Sequence, residues 1–355
     1  MMQRGMILIP TFRRPGGLAK ALACLDKLQT TADITILVAE NDPLGREGCE
    51  VVGLHAQRSR FKIHSIEVAQ RGVSHVRNFL IATALVTPGV EFVAFMDDDE
   101  WPEPQWLQAL LDMQHRTDAE IVGGTVLPAF VSEPPVWAKQ LKLFRQEQPD
   151  GPADMVWGTC NVLLTRALLQ RVVVPWFDPR FGLTGGEDME FFTRAKAAGA
   201  KFAWAAAALM HEDVPASRTR LGWVFRRSFR IGGTNALVQL RWKYGRFGHP
   251  IILAKSLGRL AAALFMALRD PCHAGHRAEA FSLAARSLGE MAALVGIRLR
   301  EYGAPISPKT YPSGRGTQTT SATAFAAERE THVGTQPRDR VTPRYDTMPY
   351  ESRKP

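Results

Sequence analysis

Phe92-Val93-Ala94-Phe95-Met96-Asp97-Asp98-Asp99-Glu100-Trp101-Pro102 sets an apolar run directly against four acids and a proline. The first five residues suit a strand buried on both faces, and Pro102 cannot continue it. Acids at the carboxyl end of such a strand sit at the mouth of an open α/β sheet, where ligands bind. If strand geometry persists, Asp97 and Asp99 point to one side and Asp98 to the other. Two hard oxygen ligands, with room left for water and phosphate, describe a Mg2+ or Mn2+ site. A solvated acidic turn is the competing reading of the same residues.

Working outward, Met6–Ile9 reads as a first strand ended by Pro10. The basic, Gly-rich loop Thr11–Gly17 follows, then a helix from about Leu18 to Leu28. Ile34–Ala39 is a second strand ending in Glu40-Asn41-Asp42-Pro43, and Phe61–Val68 a third. Gly72-Val73-Ser74 opens a helix with Val76 and Leu80 on one face, broken at Thr87-Pro88-Gly89. Beyond the acidic run come a helix near Gln105–Arg116 and a strand at Glu120–Val126. Strands alternating with helices predict βαβ units and a single mostly parallel central sheet flanked by helices.

The chain has 355 residues, ample for a large core, and its net charge of +9 is unevenly placed. Between Asp213 and Arg300 stand 15 Lys/Arg against 4 Asp/Glu, so the remaining residues are close to neutral. A basic C-terminal third suits an anionic partner; no nucleic-acid-binding module accompanies it. The four cysteines lack zinc or disulfide spacing and read as reduced thiols. The N-terminus reads as a strand, not a signal peptide.

Three strands thus end in polar clusters: Thr11/Arg14, Glu40/Asn41/Asp42 and Asp97–Glu100. Strand ends share one edge of a doubly wound sheet, so the clusters can share a crevice that suits a nucleotide. Arginines would face phosphate, the second cluster base or ribose, and the aspartates a metal; simple turn formation by Asn and Asp is the alternative. Arg77, one turn into its helix, would face the same mouth. No Gly-x-x-x-x-Gly-Lys-Ser/Thr or Gly-x-Gly-x-x-Gly run is present, which argues against P-loop NTPases and dinucleotide dehydrogenases. Further on, Thr184-Gly185-Gly186-Glu187-Asp188 places two carboxylates at the start of a helix over Met189–Ala198. Capping explains them, and so does proton abstraction from an incoming hydroxyl.

The ordered set Ile9-Pro10-Thr11-Phe12-Arg13-Arg14, Glu40-Asn41-Asp42, Val76-Arg77-Asn78, Phe95–Glu100 and Thr184–Asp188 resembles glycosyltransferase family 2. Within it, Trp101–Leu107, Thr159–Leu164 and Phe177-Asp178-Pro179 look like the glucosyltransferases of succinoglycan-type exopolysaccharide synthesis. The resemblance spans roughly Met6 to Thr234 and implies the nucleotide-diphospho-sugar transferase (GT-A) fold. It implies Asp99 on a metal, Asp97 on ribose and metal-bound water, Asn41 at a base-recognition position that is usually aspartate, and Asp188 as catalytic base. It also implies a later metal ligand at His211. Downstream, Trp223, Arg226, Arg227 and Arg230 match a processive enzyme's Gln-x-x-Arg-Trp only in part. With Glu187 they are candidates for contacting the acceptor or the departing diphosphate, which guanidinium groups pair in bidentate fashion.

Ile251–Leu268 and Phe281–Leu299 are apolar stretches joined by a polar link. Near a bilayer centre Lys255 and Arg259 would cost roughly 5–7 kcal/mol, against about 3–5 kcal/mol returned by the apolar residues. An interfacial position, with both cations at the headgroups and Arg286/Glu290 forming a second polar stripe, is therefore expected. The expected organisation is a GT-A domain over 1–245, membrane-associating amphipathic helices over 246–303 and a disordered tail over 304–355. The expected function is inverting, metal-dependent transfer of a hexose from UDP-glucose to a lipid-linked acceptor. It would take place at an anionic membrane surface, on the cytoplasmic face. A sugar nucleotidyltransferase and a non-catalytic membrane-bound scaffold are the alternatives.

Overall fold

The computed structural model describes residues 2–299 apart from Pro43 and Leu183. The expected tail over 304–355 lies outside these residues. The chain runs β1 (Arg4–Thr11), α1 (Pro15–Leu25), β2 (Asp33–Glu40), α2 (Glu47–Ala56), β3 (Lys62–Glu67), α3 (Val73–Val86) and β4 (Phe92–Met96). It continues with β5 (Glu100–Pro102), α4 (Trp106–Thr117), β6 (Ile121–Phe130), α5 (Val136–Gln140), β7 (Gly151–Ala153), β8 (Asn161–Thr165) and α6 (Arg166–Arg171). Last come α7 (Glu187–Ala197), β9 (Phe202–Val214), α8 (Leu221–Gln239), α9 (Gly248–Arg269) and α10 (Ala274–Leu294).

One sheet runs β3-β2-β1-β4-β8-β6-β9-β5, with β7 added on β9. β3, β2, β1 and β4 are mutually parallel, as βαβ alternation requires. β8 then runs antiparallel to both β4 and β6, so the sheet is mixed where the sequence alternation loses regularity. All five residues of β4 are buried, because helices cover both faces. Met6, Leu8, Phe95 and Phe191 fill the core on one side of the sheet. Ile7, Ile9, Leu22 and Trp106 fill the other.

Past residue 245, α9 packs on α10, and α10 packs in turn on α8 and α5. α8 and α10 cross at glycines. A Cβ on Gly232 would lie 1.9 Å from the Arg286 carbonyl oxygen, and one on Gly289 would lie 1.9 Å from that of Phe229. Beside the crossing, the Ser228 and Ser282 hydroxyls meet at 2.9 Å. α9 is fixed to α10 through Glu290, a nearly fully buried carboxylate that accepts from Ser256 (2.6 Å) and pairs with Arg259 (2.5 Å). Arg259 therefore turns inward, not toward headgroups with Lys255 as expected, since a buried carboxylate needs a cation. Lys255 sits against Tyr244. Gly289→Val should separate the helices and destabilise the fold by about 3 kcal/mol, at the upper end for overpacking. A melting point within a degree of the parent's would refute so close a crossing.

Candidate active site

The three aspartates after β4 divide as strand geometry predicts. Asp98 turns inward and accepts from the Thr11 hydroxyl (2.9 Å), the Phe12 amide (3.2 Å) and Arg14 (2.8 Å). Burial pushes its carboxyl up to about 6, against the pull of Arg14. Thr11, expected on the nucleotide, is itself buried and committed to this lock. Arg14 spans it and reaches Asp99 Oδ2 at 3.0 Å.

Asp97 and Asp99 remain on the crevice side, partly exposed. Arg77, only 5% exposed, gives one nitrogen to Asp97 (3.1 Å) and another to Glu187 (2.5 Å). One guanidinium thus ties the end of β4 to the start of α7. Burial, then the neighbouring Asp188 charge, push Glu187 up to about 7 despite Arg77. Glu187 is therefore a buried anchor for Arg77 and does not open toward an acceptor, and among the described residues its Oε2 has no hydrogen-bond partner.

Asp188, next in sequence, is half-buried and accepts only its neighbour's amide, Met189 N–H, at 2.7 Å. Among the described residues no cation pairs with it, so its carboxylate stays available to a substrate proton. The loop that delivers it requires glycine. Gly185 and Gly186 have φ of +74° and +96°, and a Cβ on Gly186 would fall 1.8 Å from the Thr234 methyl. Arg230 and Thr234 of α8 hold this loop from below, through the Thr184 and Gly185 carbonyls.

The far wall shows what sequence reading missed. Glu212 lies opposite Glu100 in the β5–β9 pair, and His211 opposite Trp101. His211 stacks on Trp101 at 4.1 Å and bonds Glu103 at 2.9 Å, so it does not join the aspartates. Alternation along β9 turns Glu212 the other way. There Arg218 links Glu212 to Asp99 Oδ2, the latter at 3.0 Å. Glu212 is pushed up by burial and then by the Asp99 charge. Glu100 is buried too, accepts the Asp97 amide at 3.0 Å, and is pushed well up by burial and the Asp97 and Glu212 charges.

The other predicted residues serve the frame. Glu40 accepts the Asp42 and Gly48 amides, both at 2.9 Å. Asn41 donates to the Val68 and Gln70 carbonyls and accepts the Gly72 amide. Both side chains sew loops together and neither is left open toward a base. Trp223 stacks on Phe144 (5.9 Å) and lies under Arg218, so it supports that arginine. Arg226 is exposed, while the Arg227 charge bears on Glu212 and Arg286.

Among the described residues no three His, Cys, Asp or Glu side chains close around one point. Asp97 and Asp99 are hard oxygen donors with open sides. The carboxyls behind them, Glu100 and Glu212, are raised first by burial and then by the Asp97 and Asp99 charges, the part a divalent cation would relieve. The residues fit such an ion, with two protein ligands and the rest from substrate and water.

Residues 6–172 match the family model for glycosyl transferase family 2. The chain is 31% identical over 303 residues to the succinoglycan biosynthesis protein ExoM of Rhizobium meliloti (strain 1021), across 83% of this chain and 94% of that protein. It is 26% identical over 244 residues to a pre-mycofactocin glycosyltransferase of Mycobacterium tuberculosis (strain ATCC 25618 / H37Rv), across 66% of this chain and 47% of that one. The solved structure of S. aureus TarS 1–349 in complex with UDP is 15% identical, with a TM-score of 0.45, over 82% of this chain and 91% of that one. With aspartates, bridging arginine and Glu-Asp pair in one crevice, and with nearly all of ExoM matched, the chain belongs to glycosyltransferase family 2.

Proposed function

We propose that this glycosyltransferase inverts configuration as it moves a hexose, glucose from UDP-glucose, onto a lipid-linked oligosaccharide. The reaction belongs to exopolysaccharide or related cell-surface glycan synthesis, at the cytoplasmic face of the membrane. The observation that carries the reading is the Arg77 bridge, which holds Asp97 and Glu187 in one crevice and so sets Asp188 beside it. Family membership sets aside the nucleotidyltransferase and scaffold alternatives.

Asp188 takes the proton of the acceptor hydroxyl as its oxygen attacks the anomeric carbon. The new C–O bond forms on the face opposite the breaking bond to the diphosphate, so an α-linked donor gives a β-linkage. A Mg2+ or Mn2+ ion on Asp97 and Asp99 would supply charge for the leaving diphosphate. Arg227 of α8, whose charge bears on Glu212 behind Asp99, would add to it. Thermal shift with a panel of nucleotide sugars, with and without Mn2+, tests the class. A donor present at 100 times its Kd should add about 2.7 kcal/mol of stability, only with metal. Asp99→Asn should abolish that metal-dependent shift; an undiminished shift would remove Asp99 from the site.

Membrane association rests on α9, which is long and apolar enough to cross a bilayer and is mostly unburied. Its outward side carries Leu253, Leu257, Phe265 and Leu268. With Arg259 neutralised by Glu290, this stripe can sit deep in an interface. The full chain should float with anionic vesicles at low salt and less at high salt. Leu257→Asp with Phe265→Asp should cut partitioning by at least about tenfold, since each buried apolar side chain contributes about 1.5–3 kcal/mol. Unchanged flotation would move the contact elsewhere.

A further inference from the structure

Between α9 and α10 runs an open groove of about 800 Å³. Leu260, Ala263, Leu264 and Ala267 line it from α9, and Ala280 and Phe281 from α10. No reaction step described above uses it. Its lining is almost wholly apolar; the exception is Arg277, one turn before Phe281, whose guanidinium makes no ion pair among the described residues.

The groove is also joined to the active site. The Phe281 ring packs against Phe225 of α8 at 6.1 Å, and Phe225 against Phe229 at 5.8 Å. Arg226 and Arg230 lie one turn apart on α8, beside this phenylalanine row, and Arg230 reaches the Gly-Gly loop before Glu187. Cations therefore lie at the site end and apolar surface leads away from it. The complementary molecule has an anionic head and a single hydrocarbon tail.

We propose that the α9–α10 groove binds the hydrocarbon chain of the phosphate-bearing lipid acceptor, while Arg226 and Arg230 of α8 hold its phosphates. This rests on the lipid-linked acceptor of the proposed function. The exposed stripe of α9 borders this groove, with Leu264 on the same helical face as Leu253 and Leu257, and the aromatic row to α8 is what ties the groove to the site.

The test uses the full chain and geranylgeranyl diphosphate as probe, compared by calorimetry with inorganic diphosphate and with lysophosphatidylglycerol. The probe should bind at least tenfold more tightly than either. Ala284→Trp, which fills the groove, should erase the advantage over diphosphate and leave diphosphate affinity and melting point unchanged. Ala261→Trp, at an exposed position of the same lining, provides a second variant should the first unfold. Retention of the chain's advantage in both variants overturns the proposal. So does equal, equally sensitive binding of lysophosphatidylglycerol, which would make this a bulk-lipid contact. A dimer that the tryptophans dissociate without changing probe affinity overturns it in favour of a second copy. The acceptor reading itself fails in a different measurement: equal transfer by the parent chain to lipid-free and lipid-bearing forms of one sugar.

Discussion

Asp188→Asn should bind nucleotide sugar as the parent does and transfer it about 10²–10⁴-fold more slowly, the usual loss on removing a general base. The amide preserves shape and can still accept the Met189 N–H, so α7 keeps its first turn. What it cannot do is receive the acceptor's proton. Glu187 is no substitute, because Arg77 holds its carboxylate in a buried pair. The measurement is single-turnover transfer at saturating donor, alongside direct donor binding. Transfer within a factor of two of the parent would place the base on another residue.

Arg77→Ala should have the largest effect on stability. It strands a buried Glu187 and leaves Asp97 with one fewer cation, and breaking a buried pair from one side costs about 3–5 kcal/mol. Transfer should fall as well, because the bridge fixes the end of β4 relative to the start of α7. Denaturant unfolding with an unchanged m-value would measure the loss. Arg77→Ala combined with Glu187→Gln should recover much of it, since a neutral amide needs no counter-ion. That non-additivity separates loss of the pair from loss of packing. A single variant less than about 1 kcal/mol below the parent would mean that the bridge is solvated and unimportant.

The parallel half of the sheet was legible because it is written in local signals. These are apolar runs of strand length, Thr87-Pro88-Gly89 as a breaker, and acids at a strand end. The opposed directions of Asp97/Asp99 and Asp98 followed from strand alternation. The antiparallel half was not legible. β8 and β9 join the sheet through partners far along the chain, and no local pattern states which strand lies beside which. Glu212 is hidden in the sequence for that reason, while its neighbour His211 attracts notice as an isolated histidine. A period-two count along β9 would have separated the two, but only once the β5 pairing told which face looks at Asp99. Glu40 and Asn41 pose a different difficulty. Polar side chains at a strand end suggest a ligand, yet here nearby loop amides and carbonyls bond both of them, which no local pattern announces. The inward turn of Arg259 was invisible too, since only the contact with α10 reveals a buried carboxylate at Glu290.

The glycine crossing of α8 and α10 has a mechanical meaning. Where helices touch through side chains, rotamer changes can absorb a small displacement. At Gly232 and Gly289 backbone lies on backbone, and nothing there can give. A push on α10 from the outer surface is therefore passed to α8 as a rigid shift. α8 in turn carries Arg230 and Thr234, the struts beneath the Gly-Gly loop that positions Asp188. The Asp188 carboxylate and the outermost helices are thus connected by a stiff linkage only one helix thick.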